Sequence, residues 1–433
     1  MRTLKVNGRY LAWDSGEPFF YLADTAWEIF HRLNRQEMQH YFAERSRQGF
    51  NAVQGVLLAE FEGVTVPNAY GRLPLLFSEQ LPDPVKPDLG AGYGYWDHVD
   101  FAIETAAENN LFMVLLPTWG DKFNRAWGKG PEIFNVENAY IYGKWLASRY
   151  RDRWNIIWML GGDRPLEPVH RKIIDAMAAG IREQDQQHLI TFHPQGRKQS
   201  TTCVGDAPYI DFHTAQSGHT TGKSYLSSDL VMLDMASKTG KPYMDSEPRY
   251  EDHPAKDNNG RWDEKLGVYW KTAEVRQNAY WNLMAGVCGH TYGNHCIWSM
   301  NRIPTGYFPY AWQEALTHDG AEQMGFVKKL RMSRDYFSLR PAPELLAENF
   351  AGMGHMAAAM GDGYAYIYSP LGVPFTVNLD PFDKYDAVRA LWFDPRRGSE
   401  ETITLLPAGG QTLMAPPSQG KGCDWVLVLD TSE

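Results

Sequence analysis

The sequence predicts a (β/α)8 barrel over residues 1–338, followed by a small C-terminal β-sandwich over residues 339–433. Two observations support this fold class. Short apolar segments alternate with amphipathic helical segments over residues 18–298, the pattern of a barrel of parallel strands. Beyond the proline-containing segment 339–343, the pattern changes to strands alone. The rival fold, a doubly wound open sheet, normally has a glycine-rich first turn, and residues 23–27 (Ala-Asp-Thr-Ala-Trp) do not form one.

The predicted barrel strands are short apolar runs that end where polar residues begin. They cover residues 18–23, 51–58, 112–117, 155–160, 189–193, 210–214, 242–245 and a segment within 290–298. The predicted helices cover residues 34–49, a segment from 96, and residues 138–150, 167–184, 224–237 and 269–284. Asn34 and Glu37 have the spacing of a capping box at the start of the first helix. The Gly-, Pro- and Tyr-rich stretch 59–95 is longer than a plain connection and predicts a functional loop.

The C-terminal segment reads as strands separated by turns. Period-two alternation or apolar runs predict strands at residues 363–369, 374–379, 387–393, 401–406 and 424–429. Asp362 and Gly363 form a hairpin signal between these strands and one that ends near residue 360. Trp392, Phe393 and Trp425 alternate with apolar neighbours, so we expect them in the core of the sandwich.

Composition narrows the class of partner. Apolar residues make up 43% and charged residues 22% of the chain, which excludes a disordered protein. The net charge of −10 argues against nucleic acid or an anionic membrane as the main partner. The chain contains 15 Trp and 23 Tyr, and such amphipathic rings suit a surface that stacks against sugars.

The cysteines and the N-terminus give expectations about thiols, cofactors and cellular location. Four widely separated cysteines fit neither a disulfide framework nor a zinc motif, so we expect buried free thiols and no cofactor: Cys203, Cys288, Cys296 and Cys423. No apolar stretch follows the first residues, which predicts a cytoplasmic protein, or a secreted or periplasmic one if a leader was removed. The oligomeric state is left open.

Candidate functional residues follow the predicted strands, because barrel active sites form on the loops at the carboxyl ends of the strands. Carboxylates, imidazoles and indoles recur at these positions and together suit a polyhydroxyl ligand. In chain order they are Asp24, Trp27, Glu60, Glu62, Trp119, Asp121, Asp163, His193, His213, Gln216, His219, Asp245, Glu247, His290, Tyr292, Asn294, His295 and Trp298.

Asp163 and Glu247 are the strongest candidates for catalysis. They follow strands four and seven, which lie across the barrel mouth from each other, and glycoside hydrolysis needs two carboxyl groups that flank one bond. Two glycines precede Asp163 and allow backbone to approach a ligand closely. For a single loop carboxylate, a solvated or salt-bridged acid is the ordinary alternative. Glu60 and Glu62 are rival carboxylates on a longer and less rigid loop.

The remaining candidates are assigned to substrate binding. Trp27 and Trp119 are candidate stacking platforms, and Asp24 either bonds a sugar hydroxyl or caps the next helix. The other substrate-binding candidates are His213, Gln216, His290, Tyr292 and Trp298. A metal site formed by His213, His290 and His295 is an alternative, but their spacing matches no standard zinc motif, so no metal is expected.

Four motifs, in order, resemble those of the apiosidase-type bacterial glycoside hydrolases, family 140. They are Tyr-Leu-Ala-Asp-Thr-Ala-Trp at 21–27, Ile-Trp-Met-Leu-Gly-Gly-Asp at 157–163, Asp-Ser-Glu-Pro-Arg-Tyr-Glu at 245–251 and His-Thr-Tyr-Gly-Asn at 290–294. Residues 392–396, 416–418 and 424–429 resemble the small collagen-binding-type β-domain of the same proteins. The resemblance covers nearly the whole chain.

This resemblance implies a barrel with Asp163 as acid/base and Glu247 as nucleophile. It also implies a retaining glycosidase that acts on pectic oligosaccharides or polysaccharides, because the family removes a glycan attached through apiose in the pectic polysaccharide rhamnogalacturonan-II. Two alternatives stay open at this point. One is a carbohydrate-binding protein that has lost catalysis, and the other is a metal-dependent hydrolase that uses the histidines.

Overall fold

The computed structural model describes residues 3–220, 226–236, 239–257 and 259–431. Within these residues, parallel strands form a sheet with the hydrogen-bonded order β5-β4-β3-β2-β1-β8-β7-β6. The strands are β1 (Tyr21–Thr25), β2 (Ala52–Val56), β3 (Phe112–Leu116), β4 (Ile156–Gly161), β5 (Ile190–His193), β6 (His213–Gln216), β7 (Tyr243–Asp245) and β8 (Gly289–Tyr292). The first strand, β1, is hydrogen-bonded in parallel to the last strand, β8. This pairing confirms the predicted (β/α)8 barrel.

The seam between β5 and β6 closes differently from the rest of the barrel. The hydroxyl of Thr191 donates to the carbonyl oxygen of Phe212 (2.7 Å), and the hydroxyl of Thr214 donates to the carbonyl oxygen of Phe192. A main-chain bond from Asp211 N to Ile190 O (2.8 Å) joins the same two segments. The short strand Lys198–Gln199 runs antiparallel beside the upper end of β6. Side-chain hydroxyls therefore complete the barrel where the main-chain ladder is interrupted.

Helices alternate with the barrel strands. In the described residues the main ones are α1 (Arg35–Arg47), α2 (Tyr95–Glu108), α3 (Val136–Tyr150), α4 (Pro168–Gln184), α5 (Ser200–Val204), α6 (Ser227–Ala236), α7 (Thr272–Met284) and α8 (Asp319–Met332). The predicted capping box of α1 is confirmed, since Asn34 Oδ1 accepts from Glu37 N and Glu37 Oε2 accepts from Asn34 N. The ends of the predicted helix 224–237 lie outside the described residues.

Shorter elements decorate the barrel. A three-stranded antiparallel sheet precedes it, formed by Leu4–Asn7, Tyr10–Trp13 and Pro18–Phe19. The predicted functional loop after β2 holds a hairpin of Leu75–Ser78 and Leu81–Pro87. Single helical turns are Ile29–Arg32, Gly120–Lys122, His295–Trp298 and Trp312–Ala315.

The C-terminal β-domain confirms the predicted sandwich. Its strands are β9 (Arg340–Pro341), β10 (Ala357–Gly361), β11 (Tyr364–Ser369), β12 (Phe375–Asn378), β13 (Ala387–Asp394), β14 (Ser399–Pro407), β15 (Gln411–Met414) and β16 (Trp425–Thr431). One sheet has the order β9-β10-β11-β16-β13-β14, and β12 pairs with β15. Asp362 and Gly363 form the predicted hairpin turn, with a φ of 78° at the glycine. The 3-10 turns are Pro343–Leu345, Gly352–Gly354 and Asp380–Phe382.

Both faces of the large C-terminal sheet are buried. In β11, Ala365 and Ile367 face the sandwich core, while the alternate tyrosines pack against the barrel. The hydroxyl of Tyr366 donates to Leu330 O at the end of α8 (3.0 Å), and the ring of Tyr368 stacks on that of Tyr280 of α7 with the centroids 5.0 Å apart. The sheet therefore forms an apolar layer shared by the two domains.

The predicted sandwich core is confirmed at two of three positions. Trp392 and Trp425 pack edge to face inside the sandwich, with their ring centroids 6.4 Å apart. Phe393 instead belongs to the layer against the barrel, because adjacent residues of a strand point to opposite faces.

Two further features concern the whole described chain. No described helix combines the length and the apolar character needed to cross a membrane. The four cysteines are free thiols, with Cys288 and Cys296 buried and Cys203 and Cys423 half-buried.

Candidate active site

The turn after β4 has a backbone that requires its two glycines. Gly161, Gly162 and Asp163 have φ values of 98°, 122° and 56°, all in the left-handed region. A Cβ on Gly161 would lie 2.3 Å from His193 O, and one on Gly162 would lie 2.5 Å from Gly120 N. Glycine avoids both clashes, and the strained turn that results directs Asp163 into the mouth of the barrel.

The Asp163 carboxyl group is held by one main-chain donor and one guanidinium. Gly196 N donates to Oδ1 (3.2 Å), and Nη1 of Arg164 lies 3.3 Å from Oδ2. Burial, and then the negative charge of Glu247, raise the pKa of Asp163 to about 6, against the opposing charges of Arg164 and His193. Asp163 therefore retains its proton over a range in which an ordinary aspartate is ionised.

Glu247 reaches the same mouth from the end of β7. The carboxylate of Asp245 accepts from Glu247 N and from Ser217 N, both at 3.2 Å, and Gly218 N donates to Glu247 O at 3.0 Å. Burial raises the pKa of Asp245 to about 6, and Asn282 of α7 also donates to its carboxylate (3.3 Å). Asp245 therefore positions the backbone that carries Glu247.

Two histidines contact the Glu247 carboxylate. His219 Nε2 lies 3.0 Å from Oε1, while Tyr250 N donates to His219 Nδ1 at 3.4 Å. A neutral His219 must then carry its proton on Nε2 and donate it to Glu247. His193 Nε2 lies 3.0 Å from Oε2, and its Nδ1 lies 3.0 Å from Ser246 Oγ.

These contacts set the charge of Glu247. Burial alone would raise its pKa, but the contacts with the two histidines outweigh that effect and lower it. Burial also lowers the pKa of His219, so the neutral form is the one that bonds Glu247. The mouth thus holds a carboxylate that ionises readily beside a carboxyl group that resists ionisation.

Aromatic rings line the floor of the mouth. Trp27 and Trp119 lie with their ring centroids 5.4 Å apart, and the His193 ring lies 5.3 Å from Trp27 and 5.8 Å from Trp119. Trp27 Nε1 donates to the hydroxyl of Tyr250 (3.2 Å). The structure therefore brings both predicted tryptophans to the site. Gln216 lies beside Gly196, whose main-chain N donates to Asp163: its amide nitrogen is 4.0 Å from the position that a Cβ on Gly196 would take.

Glu60 is a third carboxyl group at the mouth. Its Oε1 lies 3.4 Å from Nη2 of Arg164, the same guanidinium that contacts Asp163. Burial raises the pKa of Glu60 to about 8, and the charge of Asp163 adds to the effect. Glu62 lies further out and pairs with Lys129 on the rim.

The structure does not bring Asp24 or Tyr292 into the mouth. Asp24 Oδ2 accepts from the Tyr41 hydroxyl (2.5 Å) and from Nε of Arg45 (2.6 Å), both on α1. The Tyr292 hydroxyl donates to Glu251 Oε2 (2.5 Å). Both side chains point out from the barrel strands towards the helices, on the face opposite to the mouth residues.

His213 and His290 also lie on the outer face of the sheet. His213 Nδ1 lies 2.8 Å from the hydroxyl of Ser200 on α5. Burial lowers the pKa of His290 to about 3, and neither of its ring nitrogens has a hydrogen-bond partner among the described residues. The predicted strand 210–214 is observed at His213–Gln216, so His213 starts the strand instead of following it.

Trp298 and His295 lie together on the rim. Trp298 Nε1 donates to His295 Nδ1 (3.1 Å), and the Trp298 ring stacks on Phe61 with the centroids 5.5 Å apart. Among the described residues, no group of three or more His, Cys, Asp and Glu side chains is placed to hold a metal ion. The histidine cluster of the metal-dependent alternative is thus not assembled in this part of the chain.

Sequence reasoning gave no role to several residues that the structure brings to the site. They are Arg164, His193, His219, Tyr250 and, on the loop after β3, Trp127. His193 and His219 follow strands and were visible as candidates, while Arg164 and Tyr250 adjoin the motifs that contain Asp163 and Glu247. No sequence pattern marks Trp127.

Comparisons with known proteins agree with this geometry. A family model described as "Apiosidase-like, catalytic domain" matches residues 5–338, and one described as "Putative collagen-binding domain of a collagenase" matches residues 341–430. No curated protein matches the chain.

Solved structures give the same result. A glycoside hydrolase family 5 protein from Bacteroides vulgatus is similar over 99% of this chain and 93% of its own, with 32% identity and a TM-score of 0.89. A second structure, titled a glycoside hydrolase, is also 32% identical, over 99% of this chain and 97% of its own, with a TM-score of 0.88. The family match spans most of the chain. The chain therefore belongs to the apiosidase-like family of glycoside hydrolases.

Proposed function

We propose that this glycoside hydrolase acts with retention of configuration, with Asp163 as acid/base and Glu247 as nucleophile. The observation that carries the proposal is the contrast between two environments at the mouth. His193 and His219 each lie 3.0 Å from a Glu247 carboxylate oxygen, whereas the Asp163 carboxyl group is buried beside that negative charge, which raises its pKa. Environments that push two carboxyl groups apart in this way assign the acid and its ionised partner.

The charge of Glu247 favours a nucleophile over a base. The two histidines lower the pKa of this carboxylate and so make it a weaker proton acceptor, whereas an inverting enzyme would need it to take a proton from water. As a nucleophile it needs only a negative oxygen at the anomeric carbon. The low pKa also makes it a good leaving group when the intermediate is hydrolysed.

In the first step, Glu247 forms a bond to the anomeric carbon while the glycosidic C–O bond breaks. The proton of Asp163 passes to the departing oxygen. In the second step, the Asp163 carboxylate takes a proton from water, whose oxygen attacks the anomeric carbon and releases the Glu247 carboxylate. His219 keeps the Glu247 carboxylate oriented throughout.

For the substrate we propose apiose-containing pectic oligosaccharides. The support is the match to a family described as apiosidase-like. The proposal leaves the linkage and the remaining sugars open.

Glu247→Gln tests the mechanism. We expect kcat on rhamnogalacturonan-II oligosaccharides to fall by about 10³-fold or more, with an unchanged circular dichroism spectrum. In the wild type, NMR of the first-formed product should show retained anomeric configuration. Activity should decline as the pH rises above about 6, because Asp163 then loses the proton that it must donate. Full activity of the variant, or an inverted product, would overturn the assignment.

A further inference from the structure

Trp127 is a large indole that the fold leaves open to solvent at the barrel mouth. It lies on the loop between β3 and α3 and is 56% exposed, whereas Trp27 and Trp119 are 4% and 3% exposed. Burial of an indole is a major source of stability, so an open one beside a carbohydrate site is available to a ligand.

The exposed indole is held in place by the residue next to Asp163. The Arg164 guanidinium lies 4.8 Å from the centre of the Trp127 ring, within the range of a cation–π contact. Arg164 itself is buried, and its Nη1 donates to Asp163 O (2.8 Å) as well as contacting Asp163 Oδ2. Trp127 therefore contacts Arg164, which in turn contacts the proposed acid, Asp163.

The loop around Trp127 is built for this arrangement. A Cβ on Gly128 would lie 2.3 Å from Asp121 Cβ and 2.8 Å from Arg164 Nη2, so the loop can pack against both only with glycine there. Asp121 accepts from Gly130 N (2.9 Å) and forms a fully buried ion pair with Lys122 (2.7 Å). The loop is therefore anchored from below, although the indole is exposed.

The contacts of Trp127 relative to Asp163 and Glu247 indicate on which side of the scissile bond the indole lies. An acid must contact the departing oxygen, so groups packed around it line the leaving-group side, while groups around the nucleophile line the glycone side. Trp127 contacts Asp163 through Arg164, whereas His193, His219 and Tyr250 surround Glu247.

We propose that Trp127 is the floor of a leaving-group subsite, and that the leaving group is a sugar whose apolar face stacks on the indole. This proposal rests on the proposed function, because it uses the roles of Asp163 and Glu247. Polar groups for the sugar hydroxyls occur on the same loop, where Lys129 pairs with Glu62 across the rim. Glu60 contacts the same Arg164 guanidinium from the other loop.

Trp127→Ala tests the subsite with two substrates that share a glycone. On rhamnogalacturonan-II oligosaccharides we expect kcat/KM to fall about three- to tenfold, the value of one aromatic contact. On apiosyl fluoride we expect less than about a twofold change, because fluoride leaves the subsite empty. Phe350→Ala is the matched control, since it removes a 42% exposed aromatic ring from the C-terminal domain and should change neither rate. Equal losses on both substrates, or no loss on either, would overturn the proposal.

A binding experiment separates this proposal from the proposed function. Calorimetry with rhamnogalacturonan-II oligosaccharides is run on Glu247→Gln and on the double variant that adds Trp127→Ala. Weaker binding by the double variant supports the subsite even if the wild type proves inactive, in which case the proposed function alone fails. Equal binding by the two proteins rejects the subsite, and the kinetics of Glu247→Gln then still decide the roles of the carboxyl groups.

Discussion

Buried charges are compensated differently at the interface between the two domains and at the mouth of the barrel. At the interface, Arg276 Nε donates to Asp424 Oδ2 (2.8 Å), and Arg334 Nε donates to Asp430 Oδ1 (2.5 Å). Each of these acids is matched by a guanidinium in close hydrogen-bonded contact. The interface therefore uses its charges to hold the domains together.

The mouth instead gathers three carboxyl groups, two of which, Glu60 and Asp163, are more weakly compensated. Glu60, Asp163 and Glu247 lie together, and Arg164 contacts the first two at 3.4 and 3.3 Å, longer than the interface pairs. Burial and mutual repulsion hold the pKa of Glu60 at about 8 and that of Asp163 at about 6. The difference teaches that the fold tolerates unfavourably placed acids at the barrel mouth, and carboxyl groups with raised pKa values are typical of functional sites.

Breaking a matched pair at the interface should give the largest effect. Arg276→Met leaves Asp424 buried without its guanidinium, so we expect a loss of about 3–5 kcal/mol in the free energy of unfolding. Urea unfolding followed by tryptophan fluorescence measures this loss. The control is Arg153→Met, which breaks a 2.7 Å but solvent-exposed pair with Glu104 and should cost less than about 1 kcal/mol. Equal losses in the two variants would show that burial does not make the interface pair more costly to break.

Removing a charge from the mouth should have the opposite sign. Asp163→Asn keeps a residue that tolerates the left-handed turn and removes a carboxylate that folding makes harder to ionise. We expect a gain of about 1–3 kcal/mol in the free energy of unfolding at pH 8, with loss of turnover.

The gain should depend on pH in a defined direction. The pKa of Asp163 is raised on folding, so the wild type loses stability as the pH rises from about 4 through about 6, while the variant does not. Unfolding at pH 4 should therefore show no gain. The exposed variant Asp152→Asn serves as the control, and a destabilised Asp163→Asn at pH 8 would count against strain at the mouth.

The smallest expected effect concerns the hydrogen bond that orients Glu247. His219→Phe removes the donor to Oε1 but keeps a flat ring beside Tyr250, so we expect kcat to fall about tenfold, or about 1.4 kcal/mol. His219→Gln replaces the donor and should recover most of the rate. A glutamine variant as slow as the phenylalanine variant would show that the ring, and not the hydrogen bond, matters.

The sequence was sufficient for the barrel because the strands are apolar runs and the helices are amphipathic. It was less informative about which side chains enter the mouth, since that depends on where each strand ends to within one residue. β1 extends to Thr25, so Asp24 lies within the strand and faces α1. His213, His290 and Tyr292 face outwards for the same reason, whereas Asp163 and Glu247 lie beyond their strands on turns that direct them inwards.

The missed residues depend on contacts that no local pattern encodes. Arg164 links Asp163 to Glu60 and Trp127, which are distant in sequence or on other loops. The tautomer of His219 is fixed by the main chain of Tyr250, which follows the next strand. Phe393 was assigned to the wrong face because both faces of its strand are apolar.

The tyrosines that alternate along β11 have a practical consequence for work on this enzyme. They pack against α7 and α8, so a fragment that ends near residue 338 would expose an apolar surface of the barrel domain. Such a fragment would be prone to aggregate before its chemistry could be assayed. For expression and engineering, the two parts of the chain are best kept as a single piece.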